Sequence, residues 1–142
     1  MLTELLYISE AVEYPAKPID FGHILSRARQ RNSDAGVTGM LIFHKGKFIQ
    51  LLEGMSQGLT GIYNDYIQTD PRHKSIQVVA QGAIHARSFG AWSMGFAEPA
   101  AMQASMPLSL EKVIYQLMSD EAQKSRPSAG VVEMIRLYQQ VR

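Results

Sequence analysis

The feature that most constrains this chain is that its strand-like segments are apolar on both parities. Leu5-Leu6-Tyr7-Ile8-Ser9, Val37 to Phe43 and Lys47 to Leu52 carry apolar side chains at odd and even positions alike. Successive side chains of a strand point to opposite faces of a sheet. A sheet built from these segments therefore has both faces covered. The cover for one face is legible in the chain. Asp20 is placed to N-cap a helix, with Ile19 and Ile24 at the two ends of a hydrophobic staple. Ile24, Leu25 and Ala28 share a face of that helix, the run Arg27, Arg29, Arg31 falls largely beside or opposite it, and Asn32-Ser33-Asp34-Ala35-Gly36 ends it with turn chemistry. A second helix follows from Leu59, Ile62, Tyr63, Tyr66 and Ile67, with Ser56 as its cap and Asp70-Pro71 as its stop.

Between the helices, His44-Lys45-Gly46 joins two strands as a hairpin. Ser75 to Ile84 reads as a strand and Trp92 to Ala97 as a shorter one. The order β-α-β-β-α-β-β is that of a ferredoxin-like α+β sandwich with both helices on one sheet face. Glu98-Pro99-Ala100-Ala101 breaks the pattern; beyond it, Leu110 to Met118 and Gly130 to Val141 read as helices separated by Ser125-Arg126-Pro127-Ser128. This C-terminal extension is expected to cover the second sheet face, unless a partner does. A length of 142 residues argues for one domain. The expected division is a core over residues 1–97 and a two-helix extension over 98–142 packed on it.

Composition removes several classes of function. Lys and Arg number 14 against 13 Asp and Glu, a net charge of +1, so no bulk charge draws the chain to nucleic acid or to an anionic membrane. The absence of cysteine excludes disulfide scaffolds, thiolate metal sites and thiol catalysis. No apolar run approaches the ~18–20 residues that span a bilayer. Met1-Leu2-Thr3-Glu4 lacks a basic leader, so the expected compartment is the cytoplasm. His23, His44, His73 and His85 show no i, i+4 pairing, and no metal site is expected. No Ser–His or Asp–His constellation and no phosphate loop emerges, so the chain is not expected to be an enzyme.

The informative residues are polar groups at apolar positions. Gln50 lies between Phe48 and Leu52 on one face, and Tyr7 between Leu5 and Ser9. A buried amide without partners costs roughly 1–3 kcal/mol, so Gln50 must bond to something. The first and third strands of a ferredoxin-like sheet are central neighbours, so Tyr7 and Gln50 could meet. On these grounds alone, a structural hydrogen bond in the core is the simplest outcome. Asn32 reads as a C-terminal turn residue and Arg72-His73 as a solvated connection. Trp92 and Met94, two apart on one expected strand, share a face there and read as core or partner surface.

The same residues carry a resemblance. Leu5-Leu6-Tyr7-Ile8-Ser9, Asn32 with Val37-Thr38-Gly39-Met40-Leu41, Phe48-Ile49-Gln50-Leu51-Leu52-Glu53-Gly54, Asp70-Pro71-Arg72-His73, and Arg87-Ser88-Phe89 with Trp92-Ser93-Met94-Gly95-Phe96 stand in the order and spacing of BLUF domains, blue-light sensors that bind FAD. The resemblance covers about residues 3–97, and the tail resembles the two-helix extension of short BLUF proteins. It implies that Ile24 and Ile67 sandwich the flavin ring and that Asn32, Asp70 and His73 line its polar edges. It further implies that Gln50 bridges the flavin and Tyr7, and that light moves an electron and a proton from Tyr7 to the flavin and back. The Gln50 amide then returns rotated or tautomerised, and Trp92 and Met94 pass the change to the tail. Two positions depart from the family's pattern. Arg31 stands where many members carry Asn or His and is expected to reach the ribityl or phosphate portion, or solvent; Tyr66 stands where some carry Arg. The resemblance implies output through a downstream partner protein, and the apolar two-faced sheet makes a homo-oligomer plausible.

Three other readings share the topology. An acylphosphatase needs an Arg in the loop after the first strand, and Glu10 to Asp20 holds Lys17 but no Arg. An RNA-recognition module needs an open basic sheet face. A flavin-free interaction module of the same fold is the remaining alternative, and the intact Tyr7, Asn32 and Gln50 set speaks against it.

Overall fold

The computed structural model describes residues 1–12, 19–97, 110–124 and 126–141. The Pro15/Pro18 segment, Lys17 and the pattern break at 98–101 lie outside the described residues. The elements are β1 (Leu2–Ala11), α1 (Phe21–Ala35), β2 (Thr38–His44), β3 (Lys47–Met55), α2 (Ser56–Ile62) continuing as a π-helical turn (Tyr63–Ile67), β4 (His73–Ala83), β5 (Gly95–Ala97), α3 (Leu110–Leu117), α4 (Asp120–Gln123) and α5 (Ala129–Val141). The sheet order is β4-β1-β3-β2-β5, antiparallel except for the parallel β2–β5 pair. This is the α+β ferredoxin-like sandwich that the element order implies, with α1 and α2 on one face.

Local chemistry places the elements. Asp20 Oδ1 accepts from the His23 amide at 3.0 Å and starts α1, and Gly36 at φ +68° ends it. Lys45 and Gly46, at φ +51° and +81°, form the two-residue turn between β2 and β3. Positive φ at both central positions matches the right-handed twist of the strands on either side. The central strands β1, β3 and β2 are covered on both faces, while the edge strand β4 is largely exposed. Leu5, Tyr7, Leu41, Phe43 and Leu52 pack against Leu25, Leu59, Ile62 and Ile67 from α1 and α2. On the opposite face Leu6, Met40, Ile42, Ile49 and Leu51 pack against Ile114, Met118, Val131, Met134 and Tyr138 from the tail. Full burial of each such side chain contributes about 1.5–3 kcal/mol, which accounts for a tail held on the sheet.

Three local expectations change. Ser56 does not cap α2; it is the first helical residue, and its hydroxyl bonds Thr3 Oγ1 at 2.8 Å instead. Tyr66 leaves the core face and is 48% exposed. The Gln68 amide reaches back five residues to the Tyr63 carbonyl at 3.0 Å, so the turn holds an extra residue and the 3.6-residue spacing fails there. Trp92 to Met94 are not strand: β2 pairs only with Gly95, Phe96 and Ala97. The carbonyls of Ser93 and Met94 are taken by the side chains of Asn32 and Arg29, at 2.9 and 3.0 Å, before a ladder can form. Trp92 and Met94 consequently do not share a face. Met94 is buried against the α1–α2 side, while the Trp92 indole N–H donates to the Leu117 carbonyl of α3 at 2.9 Å.

Candidate functional site

Tyr7 and Gln50 are directly opposite one another on the two central strands β1 and β3. The Tyr7 hydroxyl donates to Gln50 Oε1. The other end of the amide, Nε2, donates to the Met94 thioether at 3.4 Å. Both polar side chains are at least 95% buried, at 4% and 5% exposure, so the apolar parity of their strands is kept by mutual satisfaction. Burial is also the largest influence on the phenol and drives its pKa up. Asp70 and Tyr63 push the same way and Arg31 pulls back. Tyr7 is held firmly protonated.

Beside this pair lies a cavity of about 50 Å3 lined by Tyr7, Ile24, Ala28, Arg31, Gln50, Ile67, Asp70 and His73, among others. It shares Arg31, Asp70 and Arg72 with an open cleft of about 600 Å3 between α1 and the end of the π turn. Around the cavity, some groups are committed to the protein and others are not. The His73 Nε2 lies 2.7 Å from the Ile67 carbonyl, which can only accept, so that nitrogen carries the hydrogen. In the neutral ring Nδ1 then accepts from Ser9 Oγ at 2.8 Å. Asp70 takes the Arg72 guanidinium through both oxygens, at 2.9 and 2.8 Å. Burial would raise the Asp70 carboxyl, but the Arg72 bonds outweigh it and hold it below the usual carboxylate range. By contrast, Asn32 gives Nδ2 to the Ser93 carbonyl while its buried Oδ1 has no partner, and the buried Nε of Arg31 has none either. Burial lowers the Arg31 guanidinium, with Tyr7 and Asp70 opposing that shift.

This leftover capacity tests what the site can hold. A buried acceptor and a buried donor without partners each carry a desolvation penalty of ~1–3 kcal/mol. A planar ligand with apolar faces and polar edges relieves it, and the aliphatic side chains of Ile24 and Ile67 supply apolar walls for such a plane. The residues present fit a flavin.

A family model described as BLUF, sensors of blue-light using FAD, matches residues 2–95. The chain belongs to the BLUF family. It is a blue-light sensor that uses FAD. This BLUF chain is 40% identical over 91 residues to the blue light- and temperature-regulated antirepressor BluF of Escherichia coli (strain K12), covering 63% of this chain and 22% of that protein. It is 35% identical over 117 residues to the photoactivated adenylate cyclase subunit beta of Euglena longa, covering 82% of this chain and 13% of that one. The chain thus spans between 13% and 22% of the length of these two relatives. Among solved structures it superposes on the dark state of BlrB, a BLUF protein, with a TM-score of 0.67 at 26% identity, over 99% of this chain and 97% of that one. Among the described residues no helix is long and apolar enough to cross a membrane.

The structure gathers Tyr7, Ile24, Arg31, Gln50, Ile67, Asp70 and His73 around one cavity, brings Met94 to Gln50, and sets Asn32 one helical turn beyond Ala28. Trp92 is apart, half-exposed against the tail. Sequence reasoning passed over two buried carboxylates on the other face. Glu53, fully buried, accepts from the Ser88 and Phe89 amides at 2.6 and 2.9 Å and from Thr38 Oγ1 at 3.1 Å. Its cross-strand neighbour Glu4 accepts from the Gly130 amide and Ser128 Oγ, both at 2.7 Å, at the start of α5. Arg87 completes the clasp with bonds to Thr38 Oγ1 and to the carbonyls of Glu53 and Gly36. The signal was available: Glu4 shares parity with Leu6, and Glu53 with Leu51.

Proposed function

We propose that Tyr7, Gln50 and Met94 form the light-switched element of this BLUF chain, with Ile24, Asn32, Arg31, Ile67, Asp70 and His73 holding the flavin. The observation that carries the reading is the doubly engaged amide: Gln50 Oε1 takes the Tyr7 proton donor while Nε2 faces the Met94 sulfur. FAD, when bound, supplies the chromophore and the electron acceptor. Tyr7 keeps its proton at Oη until an electron leaves with it, because burial makes the bare phenolate unfavourable. An amide has a donor end and an acceptor end on one short group. Half a turn of Gln50 exchanges them, so Oη must accept rather than donate and the Met94 sulfur loses its donor. A thioether is a weak acceptor, so the amide is held firmly at one end and loosely at the other, which suits a swap.

The route outward is supported by the segment Trp92 to Met94. Met94 answers to Gln50, the Ser93 carbonyl to Asn32, and the Trp92 indole to the carbonyl of Leu117 in α3. Loss of the sulfur contact thereby reaches the tail, residues 98–142, which we assign as an extension of the domain formed by 1–97. The shared core between Ile114, Met134 and the sheet supports that assignment. Output in this reading runs through a downstream partner protein in the cytoplasm rather than through chemistry of the chain's own, with self-association as part of the assembly.

The test is absorption of the flavin-loaded protein in the dark and after blue light. A small, reversible red shift is expected for the wild type. Tyr7→Phe and Gln50→Leu should retain flavin and lose the shift, and a normal shift in either would refute the assigned role.

A further inference from the structure

The segment Trp92 to Met94 leads into β5, and each of its carbonyls is taken by a different donor. The Gly39 amide of β2 donates to the Trp92 carbonyl at 3.1 Å, Asn32 Nδ2 to that of Ser93 at 2.9 Å, and Arg29 Nε to that of Met94 at 3.0 Å. Arg29 and Asn32 stand three residues apart on α1, so both reach the segment from one face of the helix. Arg29 differs from the other two donors. A guanidinium makes a stronger bond to a carbonyl than a neutral amide does. Its side chain is exposed and makes no other hydrogen bond or ion pair among the described residues. It lines neither the ring cavity nor the open cleft, whereas Arg31 lines both. Pairing of β5 with β2 begins only at Gly95, so the ladder does not hold Met94.

We propose that Arg29 is a positioning residue of the light switch: by fixing the Met94 carbonyl it fixes the sulfur against Gln50, and so sets how fast the turned amide returns. The inference rests on the reading of Tyr7, Gln50 and Met94 as the switched element. Before the turn, Gln50 Nε2 donates to the sulfur at 3.4 Å. After it, Oε1 faces the sulfur, and two acceptors oppose each other with no hydrogen between them. A sulfur that cannot retreat keeps that arrangement unfavourable and drives the amide back. A sulfur on a released backbone gives way, and the turned amide persists.

Dark recovery of the flavin-loaded protein after a blue flash reads the return directly. Arg29→Ala should slow it about three- to tenfold, the effect of one net hydrogen bond, with flavin affinity unchanged. Arg29→Lys keeps a cationic donor and should regain much of the rate. Met94→Leu conserves volume but removes the acceptor, so adding Arg29→Ala to it should change the rate no further. A second readout needs no flavin. In protein labelled at the methionine methyls, the Met94 resonance, assigned by its loss in Met94→Leu, should move in Arg29→Ala and return toward its wild-type position in Arg29→Lys. An unchanged or faster recovery in Arg29→Ala, or an unmoved Met94 resonance, would overturn the inference and leave the switch standing. So would a slowing of the same size in the Met94→Leu background. Absence of any light shift in the wild type would overturn both.

Discussion

Replacing Glu53 probes whether the far face of the sheet is held by polar clasps as well as by apolar cover. Its carboxylate is the acceptor for the amides of Ser88 and Phe89, all three groups buried. Glu53→Ala strands two buried N–H groups, each at ~1–3 kcal/mol, so the expected loss is about 2–6 kcal/mol. The relief of no longer burying a carboxyl acts against this and favours the lower half of that range. Glu53→Gln keeps one acceptor oxygen but turns an NH2 toward a backbone N–H, so a loss of about 1–3 kcal/mol is expected. The two variants also differ in pH dependence. Burial is the largest influence on Glu53 and raises its folded pKa, against the opposing bonds from Phe89, Ser88 and Thr38. Where the folded value exceeds the unfolded one, the native state binds more protons between the two. Stability therefore falls as pH rises from the ordinary Glu value through the raised one, and this fall is absent in Glu53→Gln. Urea unfolding of the flavin-loaded protein, followed by far-UV circular dichroism across that range, reads both effects. An alanine variant within about 0.5 kcal/mol of wild type would refute the clasp, the range expected for a surface substitution away from any such contact.

Two further outcomes follow from single residues. His44 is buried with neither ring nitrogen bonded and packs edge-on to Tyr138, 5.2 Å between centroids; burial and then Lys45 lower its pKa. Its stabilising contribution is thus lost as pH falls below the ordinary His value, and His44→Phe should flatten the melting temperature across that acid range. A Cβ at Gly39 collides with the backbone carbonyl of Leu51, whereas one at Gly95 meets the mobile end of Met40 at 2.6 Å. Gly39→Ala should lower the unfolding midpoint by more than Gly95→Ala, at about 1–3 kcal/mol or above for the former; equal midpoints would contradict it.

The sheet and its two-sided cover were legible because the strands are apolar on both parities and burial has to be found for both. The Tyr7–Gln50 contact was legible for the same reason, since a polar side chain on a buried parity must have a partner. Tyr66 was misplaced because the helical template assumes a constant number of residues per turn, and nothing in the residues Tyr63 to Ile67 announces the extra one. The segment from Trp92 to Met94 was misplaced because a strand propensity carries no record of side chains from α1 that capture the carbonyls of Ser93 and Met94 first. Glu4 and Glu53 were overlooked for a simpler reason: charged residues near strand ends are ordinarily solvated, and these are enclosed by groups distant in sequence, Ser128 and Gly130 of the tail for Glu4 and Ser88 and Phe89 for Glu53.

That cross-strand pair bears on how the tail can move. An apolar surface tolerates sliding, because one methyl group replaces another at nearly the same energy. The Glu4 carboxylate is satisfied only when Gly130 and Ser128 stand before it, and that of Glu53 only when Ser88 and Phe89 do. A displacement of α5 by a few ångströms keeps most of the greasy contact yet leaves the Glu4 acid bare, while Glu53 keeps its bonds to Ser88 and Phe89 ahead of the tail. Small displacements of α5 therefore cost more than the apolar contact they lose, and the Glu4 carboxylate fixes where the helix sits on the sheet.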